Sequence, residues 1–118
     1  MNNKRIVTRV PRVTAGRDLF EGMGEPDTLS PMMANWRRLR KQVPADVLLF
    51  LRLGCYYEAF GGDARIVASI LNTAVTKRQG AVMTGIPAHA EGFCVSRLIA
   101  AGWKVALAET VAEVKRYE

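Results

Sequence analysis

The stretch that most constrains the fold runs from Val47 to Phe60. Val47-Leu48-Leu49-Phe50 is an uninterrupted β-branched and aliphatic run, continued by Leu51-Arg52-Leu53, and it reads as a buried strand. Gly54 then interrupts it, as a bulge or a close backbone approach would. Immediately after the break come two tyrosines and a carboxylate, Tyr56-Tyr57-Glu58. If the chain stays extended, Tyr56 and Glu58 point to one face while Tyr57 and Ala59 point to the other. An aromatic ring and a carboxylate on one surface can stack on a flat base and accept a hydrogen bond from its edge. On spacing alone, the solvated face of an ordinary half-buried strand is the stronger reading of the pair, because such strands alternate polar and apolar residues.

The rest of the chain supplies the setting. Its 118 residues suffice for one domain with one core, and 49% apolar against 24% charged content calls for a packed globule. The formal net charge is +6 and the pI about 9.8, which suits a polyanionic partner. Residues 1–17 carry Lys4, Arg5, Arg9, Arg12 and Arg17 with no acid, and Arg37, Arg38, Arg40 and Lys41 form a second cluster. Cys55 and Cys94 have no short spacing, so neither a zinc site nor a disulfide framework is indicated. No segment has the length of a membrane span or the apolar core of a signal peptide, and the expectation is a reduced, cytoplasmic protein without a membrane partner.

In chain order, residues 1–27 are expected to form a basic arm and linker, with a candidate strand at 5–10 and a Gly- and Pro-rich connection from Pro11 to Thr28. Ser30-Pro31 opens a helix, Ser as N-cap and Pro at the first helical position. Met32, Trp36, Leu39 and Val43 make its apolar stripe, and the basic cluster rides mostly outside it, read first as a solvated face and second as a phosphate contact. A second helix runs from Gly61-Gly62-Asp63 to about Asn72. A short strand is expected at 73–76, a basic turn at 77–80, and a strand from Ala81 ended by Gly85-Ile86-Pro87. A third helix spans about Ala88 to Ala101, with Val95, Leu98 and Ile99 inward and Gly102 as its stop. Lys104 to Glu109 is a final strand. This order predicts an α/β (α+β) fold: one domain, a mixed sheet flanked by about three helices.

Catalytic signatures are missing. His89 is the only histidine and is assigned to packing or to a hydrogen bond at a helix start. There is no phosphate loop of the G-x-x-x-x-G-K-S/T type and no close acidic cluster of the kind a metal-dependent nuclease uses. The expectation is a non-enzyme with no cofactor.

With these pieces placed, residues 28–118 resemble the N-terminal mismatch-recognition domain (domain I) of MutS-type DNA mismatch repair proteins. Ser30-Pro31-Met32-Met33 is similar to the family's T-P-M-M, and Leu48 to Phe60 is similar to L-L-F-Y-R-M-G-D-F-Y-E-L-F. Asp63-Ala64 opens the next helix as in the family. Thr76-Lys77-Arg78, Met83 to Ala90 and Val105 to Glu109 resemble T-K-R, M-A-G-I-P-Y-H-A and V-A-I-C-E, in the same order.

The resemblance implies a DNA-binding module in which Tyr56 enters the minor groove and stacks on a mispaired base while Glu58 hydrogen-bonds that base. It places Lys77, Arg78 and Met83 near the DNA-facing surface. Three departures stand out. Tyr56 replaces the usual phenylalanine, Cys55 replaces an acid, and the connector, clamp and ATPase domains are absent from the chain. Weak binding, or dependence on a protein partner that supplies those functions, is therefore expected. Met1 and the basic arm read as marks of a whole gene product, and residues 5–10 as a strand that replaces, in permuted order, the one that follows domain I in the family. The alternative function is a detached regulatory or protein-interaction domain that keeps the fold without reading mismatches.

Overall fold

The computed structural model describes residues 18–25, 28–110 and 113–117. Its framework is a six-stranded mixed sheet: β1 (Val47–Leu53), β2 (Tyr56–Phe60), β3 (Thr76–Arg78), β4 (Ala81–Pro87), β5 (Lys104–Thr110) and β6 (Glu113–Tyr117), in the spatial order β3-β4-β2-β1-β5-β6. Only the β1–β5 pair is parallel; the other four pairings are antiparallel. The central position of β1 explains its apolar run. Leu48 and Phe50 pack on one face with α2 (Gly62–Leu71) and α3 (Glu91–Ala100), and Val47, Leu49 and Leu51 pack on the other beneath α1 (Pro31–Gln42).

Helix α1 starts as its sequence dictates, with Ser30 Oγ accepting from Met33 N at 3.2 Å and Pro31 in the first turn. Its buried stripe is Met33, Trp36 and Leu39, so Met33 rather than Met32 is the first core residue; Met32 is only partly buried. Trp36 is fully buried edge-on against Phe60, ring centroids 5.5 Å apart, and against Phe20 at 6.3 Å. Phe20 and Met23, from the stretch read as linker, thus pack on the body of the domain.

Arg40 departs most from its sequence reading. Instead of riding on a solvated face it is 1% exposed, donating to Val47 O at 2.7 Å, Val43 O at 3.1 Å and Pro44 O at 2.6 Å, and pairing with the buried Asp63 carboxylate. Asp63 in turn accepts from Leu49 N at 3.0 Å. The guanidinium closes the α1–β1 turn, and the carboxylate stands in for a strand partner on β1 at the start of α2. A buried charge survives only when paired and hydrogen-bonded in this way.

Four strand assignments change. The chain does not continue past Gly54 in one direction: Leu53 pairs with Tyr56, so Gly54-Cys55 is a two-residue hairpin turn rather than a bulge. Gly54 has φ +62° and Cys55 does not share a positive φ, the type II′ pattern. The short strand is Thr76–Arg78 and not 73–76, leaving a tighter turn at Gln79-Gly80; Thr73 and Ala74 are instead held by Thr84 Oγ1, at 2.6 Å from Thr73 Oγ1 and 2.8 Å from Ala74 O. Strand β4 runs through Gly85 to Pro87, because β2 pairs with it residue by residue from Met83 to Pro87 and outweighs the local breakers. Finally, the edge beside β5 is filled by β6, from the C-terminal side of the chain, a strand not foreseen from sequence. The candidate strand at 5–10 lies outside the described residues. No described helix is long and apolar enough to cross a membrane.

Candidate nucleic-acid interface

The hairpin decides where the aromatic and the carboxylate stand. Because Gly54-Cys55 reverses the chain, Tyr56 sits at the start of β2, beside the turn, and is 51% exposed. Two residues on, Glu58 occupies the same face but is only 5% exposed, and Phe60 on that face enters the core under Trp36. Tyr57 points the other way into the opposite core and is 2% exposed. The alternation expected of this segment is therefore present, and it grades from an open ring to a sheltered carboxylate to a core residue.

Glu58 is sheltered by a cation. Arg78 Nη2 donates to Oε2 at 3.0 Å, and Nε lies 2.8 Å from Oε1, close enough for an ion pair though off the hydrogen-bond axis. Arg78 comes from β3 and crosses β4 to make this contact. Met83 is on the same face, directly opposite Phe60 in the β2–β4 register and opposite Thr76 in β3–β4, and it is partly buried against the α1-side core. The structure thus gathers Tyr56, Glu58, Arg78 and Met83 on one surface. It does not bring Lys77 there: Lys77 pairs with Val82, points to the other face and is exposed. On that side Arg65, hydrogen-bonded at 2.7 Å, and more weakly Lys77, hold the Glu21 carboxylate below its usual range.

The back of the hairpin is braced by a second polar group that sequence reading did not single out. Tyr57 Oη donates to the Glu109 carboxylate, Arg52 Nη1 lies 3.7 Å from Glu109 Oε1, and Arg52 Nε donates to Gly54 O at 2.7 Å. The Arg52 guanidinium also stands 5.2 Å from the centroid of the Tyr57 ring. Burial, then the hydrogen bond to Glu109, push the Tyr57 phenol up to about 12. This ties β1, the turn and β5 together behind Tyr56. Arg52, Cys55, Ala88 and His89 line an open cleft of about 420 Å³ on that end, so His89 is an exposed cleft residue and not a packed one. Both cysteines are free, Cys55 exposed and Cys94 buried, where burial raises the Cys94 thiol. Among the described residues no three His, Cys, Asp or Glu side chains are grouped to hold a metal ion.

The basic cluster on α1 is smaller at the surface than in the sequence. Arg40 is internal, Arg37 is half-buried with its guanidinium 4.1 Å from the Phe20 ring centroid, and Arg38 donates to Asn35 at 2.7 Å. Lys41 stays exposed.

This chain is similar to known proteins over most of its described length. It is 44% identical over 85 residues to the DNA mismatch repair protein MutS of Thermotoga petrophila, covering 72% of this chain and 11% of that protein. The match to the same protein of Thermosipho melanesiensis is 40% over 94 residues, 80% of this chain and 11% of that one. For Leptospira interrogans it is 48% over 81 residues, 68% of this chain and 9% of the relative. The shared region is thus about a tenth of the length of these relatives. Residues 30–117 match the family model described as MutS domain I. The chain belongs to the MutS domain I family.

Proposed function

We propose that the chain is a non-enzymatic DNA-binding module that recognises mismatched or distorted duplex DNA, Tyr56 wedging between bases and Glu58 accepting a hydrogen bond from the displaced base. The observation that carries this reading is the half-exposed Tyr56 ring on the same face as Glu58, at the end of a braced hairpin. The names of the relatives, DNA mismatch repair protein MutS, and the net charge of +6 support it.

Energetics favours broken pairs as the target. Wedging between bases costs roughly a few kcal/mol and least where pairing is already lost. Stacking on an aromatic ring returns about 1–3 kcal/mol per base. A matched duplex resists the wedge, and a mismatch yields to it. Arg78 and Met83 flank the pair on this reading, and Lys77, on the opposite face of edge strand β3, contributes phosphate attraction from the sheet edge. Long-range grip on the duplex falls to a protein partner with clamp or ATPase functions.

The test is fluorescence anisotropy at low, stated salt with a mismatched duplex, a matched duplex and a single strand, for the wild type and Tyr56→Ala. Tighter binding to the mismatch, abolished by Tyr56→Ala, is the expected result. Equal and steeply salt-dependent binding to all three means a general basic surface. No binding to any of them favours a protein-interaction role.

A further inference from the structure

A glycine in the middle of a paired strand is destabilising relative to alanine, so it calls for a reason. Gly85 is such a residue: it sits in β4 opposite Glu58 in the register, half-buried between Thr84 and Ile86, which are both sealed into the opposite side. The two ordinary reasons fail. Its backbone is not in the left-handed region that favours glycine. Nor does packing exclude a side chain, because an added Cβ would stand 3.5 Å from Tyr57 O, 3.6 Å from Glu58 Cγ and 3.9 Å from Tyr56 Cδ1, all ordinary van der Waals distances. Arg78 on its way to Glu58 is no nearer than those three atoms, so room for the ion pair does not require glycine either.

What the missing side chain does create is a notch one Cβ deep, bordered by the edge of the Tyr56 ring and the stem of Glu58. We propose that Gly85 is a specificity-determining contact residue, its bare Cα giving the deoxyribose of the nucleotide stacked on Tyr56 a close approach to β4. The point lies between the two groups the nucleotide would touch, since Tyr56 Cδ1 and Glu58 Cγ are both within 4 Å of where the Cβ would be. The preference is steric: the C–H edge of a sugar can approach a bare Cα more closely than it can a Cα carrying a methyl group. The inference rests on the mismatch-reading function proposed above.

Gly85→Ala tests it in the full 118-residue chain, with a thermal melt and anisotropy on mismatched and matched duplexes, beside Tyr56→Ala. The expected result is a melting temperature at or above that of the wild type, with mismatch affinity lowered roughly tenfold, the scale of a partly lost base stack, and matched-duplex affinity unchanged. A clear drop in melting temperature would assign Gly85 to the fold and overturn the inference. Unchanged or improved mismatch affinity overturns it as well, as does an equal loss on both duplexes. If Tyr56→Ala abolishes mismatch preference while Gly85→Ala binds like the wild type, only this inference falls. If the wild type shows no mismatch preference, or Tyr56→Ala keeps it, the mismatch-reading function falls and this inference with it.

Discussion

Arg78 reaches across β4 to hold the Glu58 carboxylate, Nη2 donating to Oε2 at 3.0 Å while Nε lies 2.8 Å from Oε1. The Glu58 side chain is 7% exposed and the Arg78 side chain 41%, so a nearly buried anion is neutralised by a partly exposed arginine. Arg78 thus pairs with a carboxylate on the same surface that carries Tyr56.

The first prediction concerns that pair. Arg78→Gln leaves Glu58 sheltered from water without its cation and is expected to cost about 1–3 kcal/mol, the range for an unsatisfied buried polar group, with the half-exposed arginine keeping the loss below that of a fully buried pair. Glu58→Gln costs less, because the amide can still accept from Arg78 and carries no charge to desolvate. Chemical denaturation of both single variants and the double variant measures the coupling. Strict additivity of the two changes would show that the pair contributes nothing.

The second prediction concerns Arg40 and Asp63, which join α1, β1 and α2 at zero side-chain exposure. Removing one partner strands the other charge in the core, and Arg40→Met or Asp63→Asn is expected to cost about 3–5 kcal/mol. Against a total stability of roughly 5–15 kcal/mol, that loss brings the domain near unfolding at ordinary temperature. Urea titration followed by circular dichroism reads it out. A change under about 1 kcal/mol would show that the pair is dispensable.

These two pairs also mark the boundary of what was legible from sequence. The start of α1 at Ser30-Pro31, the apolar run of β1 and the stop of α3 near Gly102 are written in adjacent residues, and each is found where expected. Arg40 and Asp63 are 23 residues apart, and Arg78 and Glu58 are 20 apart; no local pattern distinguishes a buried arginine from its solvated neighbours in the same basic run. Gly85 and Pro87 read as strand breakers because their local preference is against a ladder, yet pairing with Glu58 and Tyr56 carries β4 through both. Tyr56 and Glu58 were placed on one face by simple alternation, which survives the chain reversal at Gly54 because β2 is itself extended. Nothing local announced the hairpin turn, since a lone glycine fits a bulge as well.

The third prediction isolates the Tyr56 hydroxyl. The ring is 51% exposed, so Tyr56→Phe is expected to change stability by no more than about 0.5 kcal/mol. On the proposed function the stacking surface is retained, and a hydroxyl that must be solvated or paired inside a groove is removed. Mismatch affinity should therefore equal or exceed that of the wild type, while Tyr56→Ala abolishes the preference. Anisotropy titrations of the two variants against one mismatched duplex separate ring from hydroxyl. A loss in Tyr56→Phe as large as in Tyr56→Ala would mean that the hydroxyl, and not the ring, makes the contact.

The last prediction follows from Tyr57. Burial and the hydrogen bond to Glu109 push its phenol up to about 12 from an ordinary value of 10.0. Below pH 10 the phenol is protonated in both the folded and the unfolded chain, and its donated hydrogen bond contributes fully. Between pH 10 and about 12 the unfolded chain releases the proton while the folded chain holds it, so stability falls as pH rises and the contribution is gone above that window. Tyr57→Phe deletes the titrating group together with its hydrogen bond to a carboxylate, at a cost of about 1.5–3 kcal/mol near neutral pH. Melts from pH 7 to 11.5 should then show a shallower alkaline decline for the variant than for the wild type. Parallel declines would assign the alkaline loss to other groups and place the Tyr57 phenol in an environment no different from solvent.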